Sequence, residues 1–256
     1  MNKYYFLLCS LPSVNIGAKP FVSFVELENY LDWNLTEADK KVLYSFKQYI
    51  DIKNLKNMWM DRGIDSRGNL DEKTIHEISL TEDFIPGYVL DYLKKYISID
   101  ERINNFSLLE MEFFKYEIEN PKSDFLHRYF SFERETRLIL TALRAKTLKI
   151  DISKELEGED KKDPLVDNIL SEKEAKVYTP PKEYEKLRDI YLKSQDNPKE
   201  LYKSFLEYCF NKYGDFSEKD PFTIDQILGY LANLILVEDF YYLDQEKGKL
   251  VVDSLL

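Results

Sequence analysis

Residues 61–72, read as "DRGIDSRGNLDE", place oxygen-bearing side chains at a spacing that imitates a calcium-binding loop. Asp61, Asp65, Asn69 and Glu72 fall at positions 1, 5, 9 and 12 of a calcium loop, where oxygens would close around the ion. Position 3 is Gly63, which brings no side-chain oxygen, and position 6 is Ser66, where the sharp turn needs glycine. Gly63 and Gly68 also stand at the outer spacing of a phosphate-binding loop, but Asn69-Leu70 follow in place of Lys-[Ser/Thr]. The residues therefore read as a polar loop between helices. The two histidines, His76 and His127, are preceded three residues earlier by Lys73 and Asp124. A helical di-iron site would want glutamates there. No close cysteine or histidine spacing suits zinc, and no Gly-x-Ser-x-Gly turn exposes a serine nucleophile. The expectation is a chain without catalytic, cofactor or metal residues, and not an enzyme.

One cationic cluster remains, in "FSFERETRLILTALRAKTLKID". Glu133 and Arg137 are four apart, the favourable order for a helical ion pair. Arg137 and Arg144 are seven apart on one flank, with Arg134 and Lys146 nearby. Such a flank is ordinarily a solvated helix edge. In an acidic chain a local excess of arginine also suits a protein contact, because guanidinium groups are favoured at interfaces. Arg134, Arg137, Arg144 and Lys146 are the candidate partner-binding residues.

The whole chain sets the frame for that cluster. Lys and Arg number 36 against 47 Asp and Glu, a formal charge of −11, which repels phosphate backbones and disfavours nucleic acid. The longest apolar run, "ILGYLANLILV", falls well short of the roughly 20 residues of a spanning helix, so no direct membrane span is expected. The start, "MNKYYFLLCSLPSV", has a single early cation, and its apolar run is broken by Cys9 and Ser10. It reads as a short buried element ended by Pro12 rather than as an export signal. Cys9 and Cys209 then read as reduced core residues of a cytosolic protein. The acceptor patterns at Asn34 and Asn105 carry no weight without a secretory route.

Apolar residues recur at helical spacing through most of the 256 residues. In "NLTEADKKVLYSFKQYI", Thr36 is the N-cap and Val42, Leu43, Phe46, Tyr49 and Ile50 form a stripe. "IKNLKNMWMDRG" reads as the next helix, ended at Gly63. "GYVLDYLKKYI" and "NFSLLEMEFFKYEI" follow. The longest helix is expected over residues 123–150, with Phe125, Tyr129, Phe132, Thr136, Ile139, Leu143, Thr147 and Ile150 along one seam. Residues 151–179 are charge-rich and read as an exposed connection holding a short helix. Helices resume with "EYEKLRDIYLKS", "PKELYKSFLEYCFNKYG" and "TIDQILGYLANLILVEDFYYL", and a turn is expected at Gly248. Only the first ten residues leave room for a strand. The fold class is all-α: an elongated multi-helix bundle over residues 1–256, with lobes 1–150 and 180–256 on either side of the connection.

Four stretches, in order, carry a resemblance: "YYFLLCSLPSV", "IDSRGN", "FERETRLILTALRAKTLKID" and "PFTIDQILGYLANLILVEDFYYLDQEKGKLV". Together they resemble a bacterial family of unknown function whose genes lie within V-type (V/A-type) ATP synthase operons. That family looks like a shortened relative of the C/d protein of the central stalk, so named because its eukaryotic form is called d. "ERETRLILTALRAK" is similar to the Glu-x-x-Asn…Leu-Arg-Ala-Lys helix of the C/d protein, and "QILGYLANLILVEDFYYL" to its closing helix. Thr136 and Arg137 stand where the C/d protein has its asparagine, and one clear copy of the bundle motif is found rather than three. The resemblance thus implies a reduced all-helical adaptor. Its implied role is to couple the rotor shaft to the membrane rotor ring, with both as partners, at the cytoplasmic face of the cell membrane. Two other readings stand beside it: a regulatory or assembly factor of the same machine, and a hydrolase whose pocket is assembled from distant acids.

Overall fold

A computed structural model describes residues 3–77, 86–194, 197–219 and 221–243. Its elements are α1 (Tyr5–Ser10), α2 (Phe24–Asn34), α3 (Glu37–Trp59), α4 (Glu72–His76), α5 (Gly87–Lys95), α6 (Ile99–Asn104), α7 (Phe106–Glu119), α8 (Asp124–Leu148), α9 (Ile152–Glu155), α10 (Pro164–Ser171), α11 (Glu185–Ser194), α12 (Pro198–Ser217) and α13 (Ile224–Tyr241). A 3-10 turn at Lys182–Tyr184 leads into α11. The class is all-α, with no strand among the described residues. The first residues, left open to a strand by the sequence, form helix α1 instead. The Tyr4 amide donates to the Phe222 carbonyl at 2.6 Å and the Lys3 ammonium to the Pro221 carbonyl at 2.8 Å. The backbone bond from Tyr4 lies at the entrance of the helix, and no ladder of the kind a strand needs is found there among the described residues. The turn expected at Gly248 lies outside the described residues.

The chain folds as two compact units, one of Leu31–Ser131 and one of Met1–Tyr30 with Phe132–Leu256. Helices α2 and α8 each contribute residues to both.

In the unit of residues 31–131, α3 starts as the sequence indicates, with the Thr36 hydroxyl accepting from the Asp39 amide. It then runs unbroken for 23 residues, so the two helices expected here are one. Nothing between Ile50 and Ile52 breaks it, because Asp51 is buried and its carboxylate is met by the following loop. The left-handed residue after α3 is Asp61, at φ 53°, rather than Gly63. The core is aromatic. Tyr49 stacks on Phe113 at 5.2 Å between centroids and meets Phe114 at 5.0 Å, while Phe130 meets Phe113 edge-on at 5.1 Å. Trp59 packs against Tyr92 and Phe106. Offset and edge-on pairs of this kind add to area burial.

The calcium-like loop is spent on its own closure. The Asn54 amide donates to the Asp65 carbonyl at 2.9 Å and accepts from the Asp65 amide at 2.8 Å. Asp65 pairs with Arg67 at 2.7 Å. Asp51 accepts from the Asn69 amide at 2.7 Å, the Asn69 side chain at 2.7 Å and the Leu70 amide at 3.1 Å. Burial pushes the Asp51 carboxyl up to about 6, against the pull of those donors and of Lys47. Gly68 is required by proximity, since a Cβ there would lie 2.5 Å from Asp51 Oδ1.

In the other unit, α13 buries Ile227, Leu228, Leu231, Leu234 and Val237 completely or nearly so. Its apolar run is a core helix, and no described helix is long and apolar enough to cross a membrane. Helix α12 lies along α13. Phe132 of α8 sits among Tyr184, Tyr208, Tyr213 and Phe216. Glu238, buried on α13, accepts from the Phe24 amide at 2.7 Å and so satisfies an orphan donor at the start of α2. Cys209 is a core residue as expected, but Cys9 is exposed. Leu7 is the buried residue of α1, and Cys9 falls on the opposite side of that short helix.

Candidate functional site

Arg134 and Arg137 are one turn apart on α8 and share a face. A single carboxylate meets both. Glu159 Oε2 accepts from Arg134 at 2.6 Å and Glu159 Oε1 from Arg137 at 2.6 Å. The Glu159 side chain is 5% exposed, and those of Arg134 and Arg137 are 15% and 20%. Arg134 also donates to Asp163 Oδ2 at 2.9 Å. The second oxygen of Asp163 caps α10, accepting from the Leu165 amide at 2.9 Å and the Val166 amide at 3.3 Å. Pro164 at the first helical position completes that start signal.

The electrostatics follow from burial and pairing. Burial works against the Arg134 charge, but the carboxylates of Glu159 and Asp163 outweigh it and raise its proton affinity. Burial likewise pushes Asp163 up, and Arg134 overrides it to hold that carboxyl below its ordinary range. At the other end of α10, the Lys146 ammonium donates to the carbonyls of Glu172 at 2.7 Å and Ala175 at 2.8 Å, and to that of Lys173. A cation on carbonyls just past a helix C-terminus complements the helix dipole. The cationic flank therefore holds both ends of α10 against α8. Residues 151–179 bury Ile152, Leu156, Leu165, Val166, Ile169 and Tyr178 against the rest of their unit.

Of the four candidate residues, Arg134, Arg137 and Lys146 thus have partners within the chain. Arg144 makes no hydrogen bond or ion pair among the described residues, and its Nε is buried without an acceptor. The neighbouring acids are engaged too. Tyr213 donates to Glu133 at 2.5 Å, and Tyr184 donates to Glu135. Burial raises the Glu135 carboxyl, with the Tyr184 bond pulling the other way. Sequence reasoning missed Glu159, Asp163 and these tyrosines. Only Asp163-Pro164 carried a signal, the pairing of an acidic cap with a first-turn proline.

A family model described as "Protein of unknown function (DUF2764)" matches residues 1–256. The chain belongs to the DUF2764 family. Over 261 residues the DUF2764 chain is 29% identical to an "Uncharacterized protein" of Chlamydia muridarum (strain MoPn / Nigg), with 100% of this chain and 98% of the relative covered. A relative in Chlamydia trachomatis serovar D is 27% identical and one in Chlamydia pneumoniae 28%, at the same coverage. No solved structure matches.

Beyond the arginine cluster, the DUF2764 chain presents large apolar side chains to solvent. Phe6 and Trp33 are each 88% exposed, and Phe21 is 85% exposed. Aromatic residues are the side chains most often found anchoring protein contacts. Periodicity did not single them out, because it marks which residues share a helix face and not whether that face is covered.

Proposed function

We propose that this DUF2764 protein is a non-catalytic central-stalk component, related to the C/d protein, that couples the rotor shaft of a V/A-type ATP synthase or ATPase to its membrane ring. In this reading it is cytoplasmic and peripheral to the membrane, held at the inner face through the complex. The observation that carries the proposal is the ordered wording from Tyr4 to Val251, with "ERETRLILTALRAK" at its centre and resembling a helix of the C/d protein. The helical class and the locking of that helix support it. A component that transmits torque must resist deformation, and buried two-to-one ion pairing between α8 and the segment carrying α10 stiffens the contact at which the resemblance is densest. Arg144, unpaired among the described residues, is the member of that flank assigned to a partner carboxylate.

The test is recovery of the machine on a tagged copy. Protein tagged in its native host and purified in mild detergent is expected to bring down shaft and ring proteins of the ATPase. Arg144→Glu is expected to lower that recovery about tenfold, the equivalent of roughly 1.4 kcal/mol, with the fold intact by circular dichroism. Failure of the unaltered protein to recover any shaft or ring protein contradicts the proposal.

A further inference from the structure

Glu117 lies on the buried stripe of α7 that Phe106, Leu109, Phe113 and Phe114 also form, and it is 1% exposed. Both of its carboxyl oxygens are buried without a hydrogen-bond partner among the described residues. Helix α5 packs on α7 and brings a second such group, the Tyr88 hydroxyl, also buried and without a hydrogen-bond partner among the described residues. Tyr88 stacks obliquely on Tyr116, with ring centroids 5.6 Å apart. A buried carboxylate without donors is costly, whereas its neutral form is far less so. This pair is therefore packed for one protonation state.

We propose that Glu117 is a proton-operated latch between α5 and α7: neutral, it stays sealed in the packing, and on ionising it withdraws toward water and loosens α5.

The surrounding charges fit that assignment. Burial pushes the Glu117 carboxyl up to about 7, and Lys122, beyond the end of α7, pulls it only partly back. Burial raises the Tyr88 hydroxyl far above its ordinary value, with the charges of Glu117, Tyr116, Asp51 and Tyr44 adding to it, so Tyr88 stays protonated. Asp51 and Tyr44 come from α3, where Lys47 lies near Asp51. Helix α6 adjoins the start of α7, about 16 Å of helix away from Glu117, and its Arg102 is turned to Trp59 and the Tyr96 carbonyl. Among the described residues, Lys122 is the single cation acting on the carboxyl.

The direction with pH follows. Well below the ordinary glutamate value both the closed and the opened forms carry the proton, and the closed form bears no penalty. As pH rises the opened form ionises first, and the closed form loses its advantage until pH passes about 7. With an opened value of about 4.3, protection of α5 amides should fall roughly tenfold between about pH 6 and pH 8.

Hydrogen exchange on the full-length protein, corrected for intrinsic exchange rates, reads this directly. The tenfold fall is expected in the unaltered protein, is expected to vanish in Glu117→Gln, and is expected to persist in Asp51→Asn, the other buried acid nearby. Protection that changes less than twofold in the unaltered protein, or a fall that survives Glu117→Gln, overturns the latch. Carbon-13 titration of the Glu117 carboxyl keeps the proposal open to refutation even if the variant does not fold. A midpoint near 7 supports it, and one in the ordinary glutamate range, near about 4.3, overturns it.

Discussion

Replacing Glu159 with alanine is expected to destabilise the protein by about 3–5 kcal/mol, the scale of breaking buried ion pairs by removing the shared partner. The side chain is nearly inaccessible and bridges two guanidinium groups at 2.6 Å each. Its removal takes one carboxylate contact from Arg137 and one from Arg134, which keeps Asp163. Glu159→Gln keeps an acceptor but removes the charge, and a loss of about 1.5–3 kcal/mol is expected, the scale of one hydrogen bond to a charged group. Asp163→Ala should cost less than Glu159→Ala despite losing both a cap and an ion pair, because Asp163 is half-buried and Arg134 keeps Glu159. Urea unfolding checks the order: the midpoint should fall most for Glu159→Ala, then for Glu159→Gln. Hydrogen exchange should locate the early loss of protection in α10. A Glu159→Ala midpoint within error of the parent would mean that this clamp contributes nothing.

The second large effect is steric. Gly229 lies where α13 meets α12, and a Cβ there would come within 2.4 Å of Ser217 Cβ, 2.6 Å of Ser217 Oγ and 3.3 Å of the Tyr213 carbonyl. A contact at 2.4 Å cannot be relieved by turning a side chain, because both carbons are fixed to helical backbone. Gly229→Ala is therefore expected to cost about 3 kcal/mol, at the upper end for overpacking, although alanine is the better helix former by about 1 kcal/mol. Ser217→Gly removes the offending Cβ at a propensity cost of up to about 1 kcal/mol near the end of α12. The double variant should then cost about 2 kcal/mol rather than the additive sum of about 4, a favourable coupling of about 2 kcal/mol between the sites. Thermal denaturation of the four proteins in that cycle measures it. Additive effects would show that the helices separate easily at this crossing.

Local signals were the ones the sequence displayed. Thr36 and its first-turn acids mark the start of α3 because a cap acts within one turn. The apolar seam over residues 123–150 marks α8 because the helical repeat extends over about seven turns. The partners of the arginine flank were hidden for a physical reason. Glu159 sits in a run of charged residues, and composition reports such a run as solvated, whereas chain reversal after α8 carries this one acid into the packing. Glu117 was visible in principle, since it falls three residues after Phe114 and four after Phe113 on their stripe. Asp51 interrupts the apolar sequence between Ile50 and Ile52 without interrupting the helix. Its hydrogen bonds come from Asn69 and Leu70, 18 and 19 residues away. Long-range satisfaction of that kind has no sequence period to betray it.

The central claim, a stalk component of a V/A-type machine, is tested most directly by counting. The ATPase is purified through a tag on a shaft protein, and the amount of the DUF2764 protein is measured against shaft and ring by native mass spectrometry. One copy per complex, retained through salt and mild detergent, is the expected result. A clearly substoichiometric amount that washes away would identify a transient factor instead, and complete absence from an active, intact complex would contradict the account.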